Sequence, residues 1–258
     1  MNFNRKISSL LGIIIIVIVV ALLFVGIFVY QYLSVRPTPK EAVVNNITKE
    51  IKNIEYFIPN GWEVLQTENG DLNKDGLADA VIVAEDVNYK NVDGSSCGEF
   101  SCPRRILILF QTKNGEYELS IKSDKAILLA GEGGIFGDPF AGVKIENGSL
   151  LISFYGGSAW RWSRSYRFRY QDGGWFLIGA TLNSYWNVVD CVDDKVDYNF
   201  LTGRKQEIKS SNWDNYATAL DGQKDKSCSR EEKWSDINND KLINLNDFTA
   251  SSFDLSSF

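Results

Sequence analysis

The segment 71–79 places oxygen-bearing side chains at every second position around a glycine, and the apolar stretch 80–84 follows it directly. Ca²⁺ is a hard cation that binds six to eight oxygen atoms, and a glycine permits the sharp turn of a loop that wraps it. A solvated Asx turn without an ion is the alternative, because the same residue types dominate ordinary turns. The segment predicts a structural Ca²⁺ bound by Asp71, Asn73, Asp75, the backbone carbonyl of Leu77, and Asp79.

A second segment, 236–247, repeats the Asp-x-Asn-x-Asp opening and places a carboxylate at its twelfth position. Lys241 stands where a calcium loop of this length has its turn glycine. By the same spacing, the ligands predicted for this loop are Asp236, Asn238, Asp240, Leu242 and Asp247.

The two loops resemble calcium loops of known families. The first is similar to those of FG-GAP and VCBS-type repeats, which occur in integrin-like β-propellers and bacterial surface proteins. The second resembles half of a dockerin, although it lacks the turn glycine and the chain has no other half. The resemblance implies calcium as a structural ligand for the first loop, and a dockerin-like assembly role as one alternative function.

The N-terminal run from Leu10 to Tyr30 contains no charged residue. A helix rises about 1.5 Å per residue, so this run is long enough to cross the hydrocarbon layer. A cleaved signal peptide is the alternative, but its apolar core is usually shorter and small residues follow it. Arg5 and Lys6 precede the run, which predicts a signal anchor with a cytoplasmic N-terminus and an extracytoplasmic C-terminal domain.

This pattern divides the chain into four parts: a membrane anchor (1–33), a stiff proline-containing linker (34–40), a β-rich extracytoplasmic domain (41–205) and a loop-rich C-terminal appendage (206–258). A short helix is predicted at the start of the β-rich domain, where apolar residues recur at helical spacing. Its apolar stripe, predicted to pack on the domain, is Val43, Val44, Ile47, Ile51 and Ile54.

The net charge of −6 argues against nucleic acid as a partner, because duplex binding requires clustered basic residues. The four cysteines are an even number in a compartment predicted to be oxidising, which favours disulfides. Zinc is the rival interpretation, but the spacing lacks two close pairs and the chain has no histidine. Of the three connectivities, we favour the local one, Cys97 with Cys102 and Cys191 with Cys228.

From Trp62 to about Tyr198 the pattern is that of β-strands separated by turns. Asn-Gly and Asp-Gly pairs tolerate the positive φ angles of tight hairpins. The predicted fold class is mainly β: an antiparallel meander, as a curled sheet or sandwich. The predicted strands include 105–110, 117–121, 150–155, 166–170 and 175–178, with turns at 114–115, 147–148 and 172–174.

Within this region the segments 133–140, 155–162, 168–171 and 175–179 together resemble an uncharacterised bacterial family of secreted or lipid-anchored proteins that carry the same Asp-x-Asn-x-Asp-Gly loop. The resemblance covers roughly Ile54 to Lys205. It implies an exported domain and no known activity.

The segment 160–170 alternates aromatic and arginine side chains. Successive side chains of a strand point to opposite faces, so the rings share one face and most arginines the other. Rings in the core and arginines in water are one interpretation. The other is a ligand surface, where aromatic rings stack on sugars and arginines hold anions; its residues are Trp160, Trp162, Arg161, Arg167 and Arg169.

No catalytic residue is predicted. Without histidine the chain has no Ser-His or Cys-His pair. Paired carboxylates cleave glycosides, and Glu132 and Asp138 flank a glycine-rich turn, so a carbohydrate-active enzyme remains an alternative. The sequence favours a membrane-anchored, calcium-stabilised domain with a binding or envelope-structural role. Its partners would be the membrane and an envelope protein or glycan.

Overall fold

A computed structural model describes residues 54–90, 94, 97, 101–187, 193–211, 229–238 and 241–255. Met1–Glu55 form one unit and Tyr56–Phe258 another. The predicted anchor, the linker and nearly all of the predicted helix lie outside the described residues. Within the described ranges, no helix is long and apolar enough to cross a membrane.

The first sheet contains four antiparallel strands that follow one another in chain order. A short 3₁₀ helix, Glu55–Phe57, precedes it. The second strand is buried from Asp79 to Ala84 because it lies inside the sheet and is covered on both faces. The strands are β1 (Trp62–Gly70), β2 (Asp79–Asp86), β3 (Arg104–Gln111) and β4 (Tyr117–Ser123).

The second sheet contains seven antiparallel strands, and each again pairs with its neighbour in sequence. A 3₁₀ helix, Ala130–Gly133, connects the two sheets. The prediction of a mainly β, antiparallel fold is therefore confirmed. The strands are β5 (Phe140–Glu146), β6 (Ser149–Gly157), β7 (Trp160–Gln171), β8 (Gly174–Trp186), β9 (Asp193–Asn199), β10 (Arg204–Ser211) and β11 (Ser229–Asp236).

Two of the predicted turns are tight hairpins. Asn147 and Gly148 join β5 to β6 with φ angles of 52° and 66°. Asp172 and Gly173 join β7 to β8 with φ angles of 52° and 74°. Positive φ at both central positions is what a two-residue hairpin of matching twist requires.

The two sheets share one apolar core. Val81 and Ile108 from the first sheet belong to the same buried cluster as Ile152 and Phe168 from the second. The chain's C-terminal segment also enters this cluster through Leu245, Phe248, Ala250 and Leu255.

The region 206–258 thus differs from the predicted loop-rich appendage. Most of β10 and all of β11 lie in it and extend the seven-stranded sheet. Polar contacts link these two strands: Gln206 donates to Glu232 (2.6 Å), and the Arg204 guanidinium lies 5.0 Å from the Trp234 ring centre. Beyond β11, Leu245 N donates to Trp175 O (2.9 Å), which fastens the C-terminal segment to β8.

Gln66 links the two sheets where β1 lies beside β5. Its amide nitrogen donates to Val143 O (2.8 Å), and its amide oxygen accepts from Val143 N (2.9 Å). The side chain thereby satisfies both backbone groups of Val143, as a neighbouring strand would.

Candidate functional site

The loop between β1 and β2 is organised around the Asp71 carboxylate. Asp71 accepts hydrogen bonds from the backbone N–H groups of Lys74 (2.7 Å), Asp75 (3.1 Å) and Gly76 (3.0 Å). Lys74 and Gly76 have φ angles of 67° and 85°. Gly76 adopts this conformation without strain because it carries no Cβ, and it lies in the turn of the loop.

Asn73 and Asp75 are joined to each other in the same loop. The Asn73 side-chain nitrogen donates to an Asp75 carboxylate oxygen (3.0 Å), and Asp75 N donates to the Asn73 side-chain oxygen (3.0 Å). The other Asp75 carboxylate oxygen accepts from Leu77 N (2.8 Å). These hydrogen bonds therefore hold residues 71, 73 and 75 together in one turn.

Asp79, the last predicted ligand, has a different environment. It is fully buried, and its carboxylate accepts from the backbone N–H groups of Leu72 (2.8 Å), Asn73 (3.2 Å) and Gln111 (3.0 Å). Burial raises the pKa of Asp79 above its ordinary value, although these hydrogen bonds act in the opposite direction. Asp79 thus fastens the loop to β3.

The donor chemistry of the loop fits a hard cation, since Asp71, Asn73, Asp75 and the Leu77 carbonyl offer only oxygen ligands. Asp71, Asp75 and Asp79 all accept hydrogen bonds from backbone amides, and Asp79 differs from the other two in being fully buried. Across the described part of the chain, no three acidic, histidine or cysteine side chains are arranged to hold a metal ion.

The second predicted loop is divided between sheet edge and core. Asp236 ends β11, and its exposed carboxylate lies 4.0 Å from the Arg204 guanidinium. Leu245 is fully buried and Asp247 N donates to Asn244 O (3.0 Å) in a turn. Asp240 lies outside the described residues. Next to Asn238, Ile237 N donates to Gly203 O (2.9 Å), and next to Leu242, Ile243 O accepts from Leu177 N (2.8 Å). These bonds fasten the segment to the seven-stranded sheet.

Strand β7 buries the middle of the predicted aromatic face and exposes its beginning. Tyr166 and Phe168 belong to the core, whereas Trp160 is 42% exposed and lies 5.3 Å from Trp186, ring centre to ring centre. Trp162 is half-buried, with the Arg164 guanidinium 5.1 Å from its ring centre. The core interpretation therefore holds for Tyr166 and Phe168, whereas Trp160 at the start of the strand is exposed.

The arginines of the opposite face have separate environments. The Arg161 guanidinium lies 3.6 Å from the Phe136 ring centre, and Arg167 forms an ion pair with Glu146 (3.0 Å). Arg167 and Arg169 line a groove of about 280 Å³ on this face. The other polar residues of the groove are Ser165, Thr181, Asp197 and Asn199.

Both carboxylates considered for glycoside cleavage have structural partners. Glu132 accepts from Leu129 N (2.6 Å) and caps the 3₁₀ helix. Asp138 accepts two hydrogen bonds from Arg104, each 2.7 Å long. Burial raises the pKa of Asp138, but the bonds from Arg104 and from Phe140 N outweigh it and hold the pKa below its ordinary 3.8. A lowered pKa is opposite to what a general acid needs.

Arg104 is the residue of this region that sequence reasoning missed. Its side chain is 2% exposed, forms an ion pair with Glu85 (2.6 Å) and donates to Leu128 O (3.0 Å), besides holding Asp138. A buried arginine needs such a complete set of acceptors. The sequence signal for it is the arginine pair 104–105 that precedes the apolar run 106–110.

The Asp138 carboxylate is expected to make stability fall in acid. Its folded pKa lies below the ordinary 3.8, so its contribution is complete above the unfolded pKa and is lost as pH falls through the folded one. Urea unfolding at about pH 6 and about pH 3 should therefore show a steeper loss of stability for the wild type than for Asp138→Asn. Equal losses in the two proteins would show that this ion pair contributes nothing to the pH dependence.

The described part of the chain contains one cysteine pair, Cys97–Cys102, joined as a disulfide. Both cysteines are buried beside β2 and β3. Cys97 N donates to Tyr89 O (3.1 Å), so the disulfide lies in a loop that is hydrogen-bonded back to the end of β2. Cys191 and Cys228 lie outside the described residues, and their pairing remains a prediction.

Comparisons with models of protein families, with curated proteins and with solved structures found no match for this chain. The fold and the loop define an antiparallel β domain with an oxygen-rich turn between its first two strands.

Proposed function

We propose that this chain is a membrane-anchored, calcium-stabilised β domain that serves binding or structure outside the cytoplasm. In this proposal the two sheets, which share one core, form a sandwich, and the uncharged run Leu10–Tyr30 holds it at the membrane. The family resemblance in segments 133–179 supports an exported domain.

The observation that carries the calcium assignment is the arrangement around Asp71. One carboxylate gathers three successive backbone N–H groups, which bends the chain so that residues 71, 73 and 75 lie in one turn. Like charges so close together repel one another in the absence of a cation. A bound Ca²⁺ would therefore stabilise the folded loop more than the unfolded chain.

The alternatives have less support. A glycosidase would need one carboxylic acid with a raised pKa, whereas that of Asp138 is lowered. A dockerin-like role would need the segment 236–247 to be available to a partner, whereas Leu245 in it is fully buried. A binding or structural role requires neither.

Calcium should bind the full chain through the first loop. Calorimetry in detergent is expected to detect binding in the millimolar to submillimolar range typical of extracellular modules. Asp75→Ala should abolish it, because that change removes a central ligand. Asp194→Ala, which removes the same charge from an exposed position of β9, should leave it intact. Binding that survives Asp75→Ala would locate the ion elsewhere.

The orientation has a separate test. Protease added to intact cells or spheroplasts should degrade residues 56–258 and leave the N-terminal segment in the membrane, because the basic residues Arg5 and Lys6 keep the N-terminus cytoplasmic. The control is detergent lysis, which exposes both sides. Complete protection before lysis would reverse the assigned orientation, and a mature chain beginning beyond Tyr30 would identify a cleaved signal.

A further inference from the structure

An exposed group of large apolar side chains lies at one end of strands β6, β7 and β8. Ile135 is 78% exposed, Phe136 47%, Trp160 42% and Tyr155 38%. Single exposed apolar residues are ordinary, but contiguous ones mark interaction surfaces. The aromatic patch comprises Ile135, Phe136, Tyr155, Trp160, Tyr185 and Trp186.

The aromatic side chains of the patch form two contact groups at this end of the sheet, because Trp160 pairs with Trp186 and Arg161 with Tyr185 on opposite faces of β7 and β8. The rings of Phe136 and Tyr155 lie 6.0 Å apart, those of Trp160 and Trp186 lie 5.3 Å apart, and the hydroxyls of Tyr155 and Tyr185 are 3.1 Å apart. The Arg161 guanidinium lies 3.6 Å from the ring centre of Phe136 and places a positive charge beside this group.

The tip of the aromatic patch is a fixed turn. Gly137 N donates to Gly134 O (3.0 Å), and Gly133 N donates to Gly137 O (2.9 Å). Ile135 N donates to Gly157 O (3.1 Å), so the turn is also bonded to the end of β6. A Cβ at Gly156 would lie 2.7 Å from Gly133 O, which explains why glycine is needed there. The fold thus displays Ile135 on a rigid support.

The composition of this surface distinguishes between binding modes. A sugar stacks on ring faces and gains little from an isoleucine at the tip. A bilayer interface accommodates both, because aliphatic side chains enter the acyl region while tryptophan and tyrosine remain at the headgroups. Arginine beside such rings suits the same boundary, since its charge reaches the headgroups.

The chain itself places a bilayer within reach. The uncharged run ends at Tyr30 and the described residues begin at 54, so a short connection tethers this surface to the membrane that holds the run. Tethering raises the effective concentration of a weak second contact.

We propose that the aromatic patch lies in the lipid–water interface of the membrane that anchors the chain. This inference rests on the anchor of the proposed function. The calcium loop would then face away from the bilayer, because the Asp71 carbonyl lies near Gly148, at the opposite end of β6 from Gly157.

The test uses the full chain reconstituted into phosphatidylcholine vesicles with and without brominated acyl chains. All seven tryptophans lie after residue 61, so the N-terminal run contributes no tryptophan emission. Brominated lipid should quench the emission of the wild type. Trp160→Phe should remove much of the quenched fraction, and Ile135→Ser should reduce it, whereas Trp234→Phe, on the exposed face of β11, should leave it unchanged.

Alkaline carbonate extraction of the same vesicles distinguishes failure of the membrane anchor from failure of the interfacial position of the aromatic patch. A chain that stays in the membrane but is not quenched would overturn the inference alone and assign the aromatic patch to a glycan or protein partner. Quenching that persists unchanged in both Trp160→Phe and Ile135→Ser would overturn it as well. A chain stripped by carbonate would refute the anchor and, with it, the tether on which this inference rests.

Discussion

Replacing Arg104 with alanine is expected to destabilise the domain by about 3–5 kcal/mol, the usual cost of breaking a buried ion pair by removing one partner. The change leaves Glu85 without its cation, although the Glu85 side chain is only 14% exposed. It also removes the side chain that holds Asp138 at the start of β3. Equilibrium unfolding in urea measures the effect. Arg104→Lys should lose less stability than Arg104→Ala but remain less stable than the wild type, since lysine keeps the charge but loses the paired hydrogen bonds.

The neighbouring residue provides a matched control. Arg105 also pairs with an aspartate, Asp124, but that carboxylate is about half exposed. Exposed pairs typically contribute about 0.2–1 kcal/mol. If Arg105→Ala destabilises the domain as much as Arg104→Ala does, burial is not what makes the Arg104 cluster important. If Arg104→Ala costs less than about 1 kcal/mol, the cluster itself contributes little.

Replacing Phe248 with alanine is expected to cost about 3–5 kcal/mol, as for other buried aromatic residues. Its ring is fully buried and lies 4.9 Å from that of Tyr166 and 5.1 Å from that of Phe168, ring centre to ring centre. The loss should appear as a lower urea midpoint for the whole domain, because the C-terminal segment shares the core of both sheets.

Asn246→Ala is the matched control for Phe248→Ala, since Asn246 is exposed two residues earlier in the same segment. Its effect should stay within about 0.5 kcal/mol. A separate early transition in Phe248→Ala, with the remaining unfolding unchanged, would instead show that the region after β11 is an independent appendage.

Local sequence signals predicted the parts of the fold that depend on neighbouring residues. Asn147-Gly148 and Asp172-Gly173 form the hairpins expected of them, because positive φ is a property of the residues themselves. Tyr166 and Phe168 are buried at alternate positions of β7, as a period of two requires.

The missed features depend on distant partners. Strands β10 and β11 are polar on nearly every position, so they show little apolar alternation, and their pairing depends on contacts across the strands. Leu245 and Phe248 lie outside any strand or helix, and their burial follows from the docking of Leu245 on Trp175. Arg104 is buried because Glu85 and Asp138 meet it in space, and sequence spacing does not reveal such meetings.

The same limit applies to the calcium loop. The spacing of Asp71, Asn73 and Asp75 predicted one turn, and the structure brings these three residues together in it. The spacing did not show that Asp79 would accept backbone hydrogen bonds from β3, because Gln111 lies far along the chain. Asp79 therefore fastens the loop to β3 through these hydrogen bonds, independently of any contact with an ion.

The most direct test of a calcium-stabilised domain is the melting temperature of the full chain in millimolar calcium and in EDTA. At a hundredfold excess over the dissociation constant, a ligand stabilises the folded state by about 2.7 kcal/mol. For a domain of this size, the melting temperature should be roughly 5–10 °C lower in EDTA than in calcium. Asp75→Ala should lose most of this difference. Identical melting of the wild type in calcium and in EDTA, with no binding heat, would contradict the account.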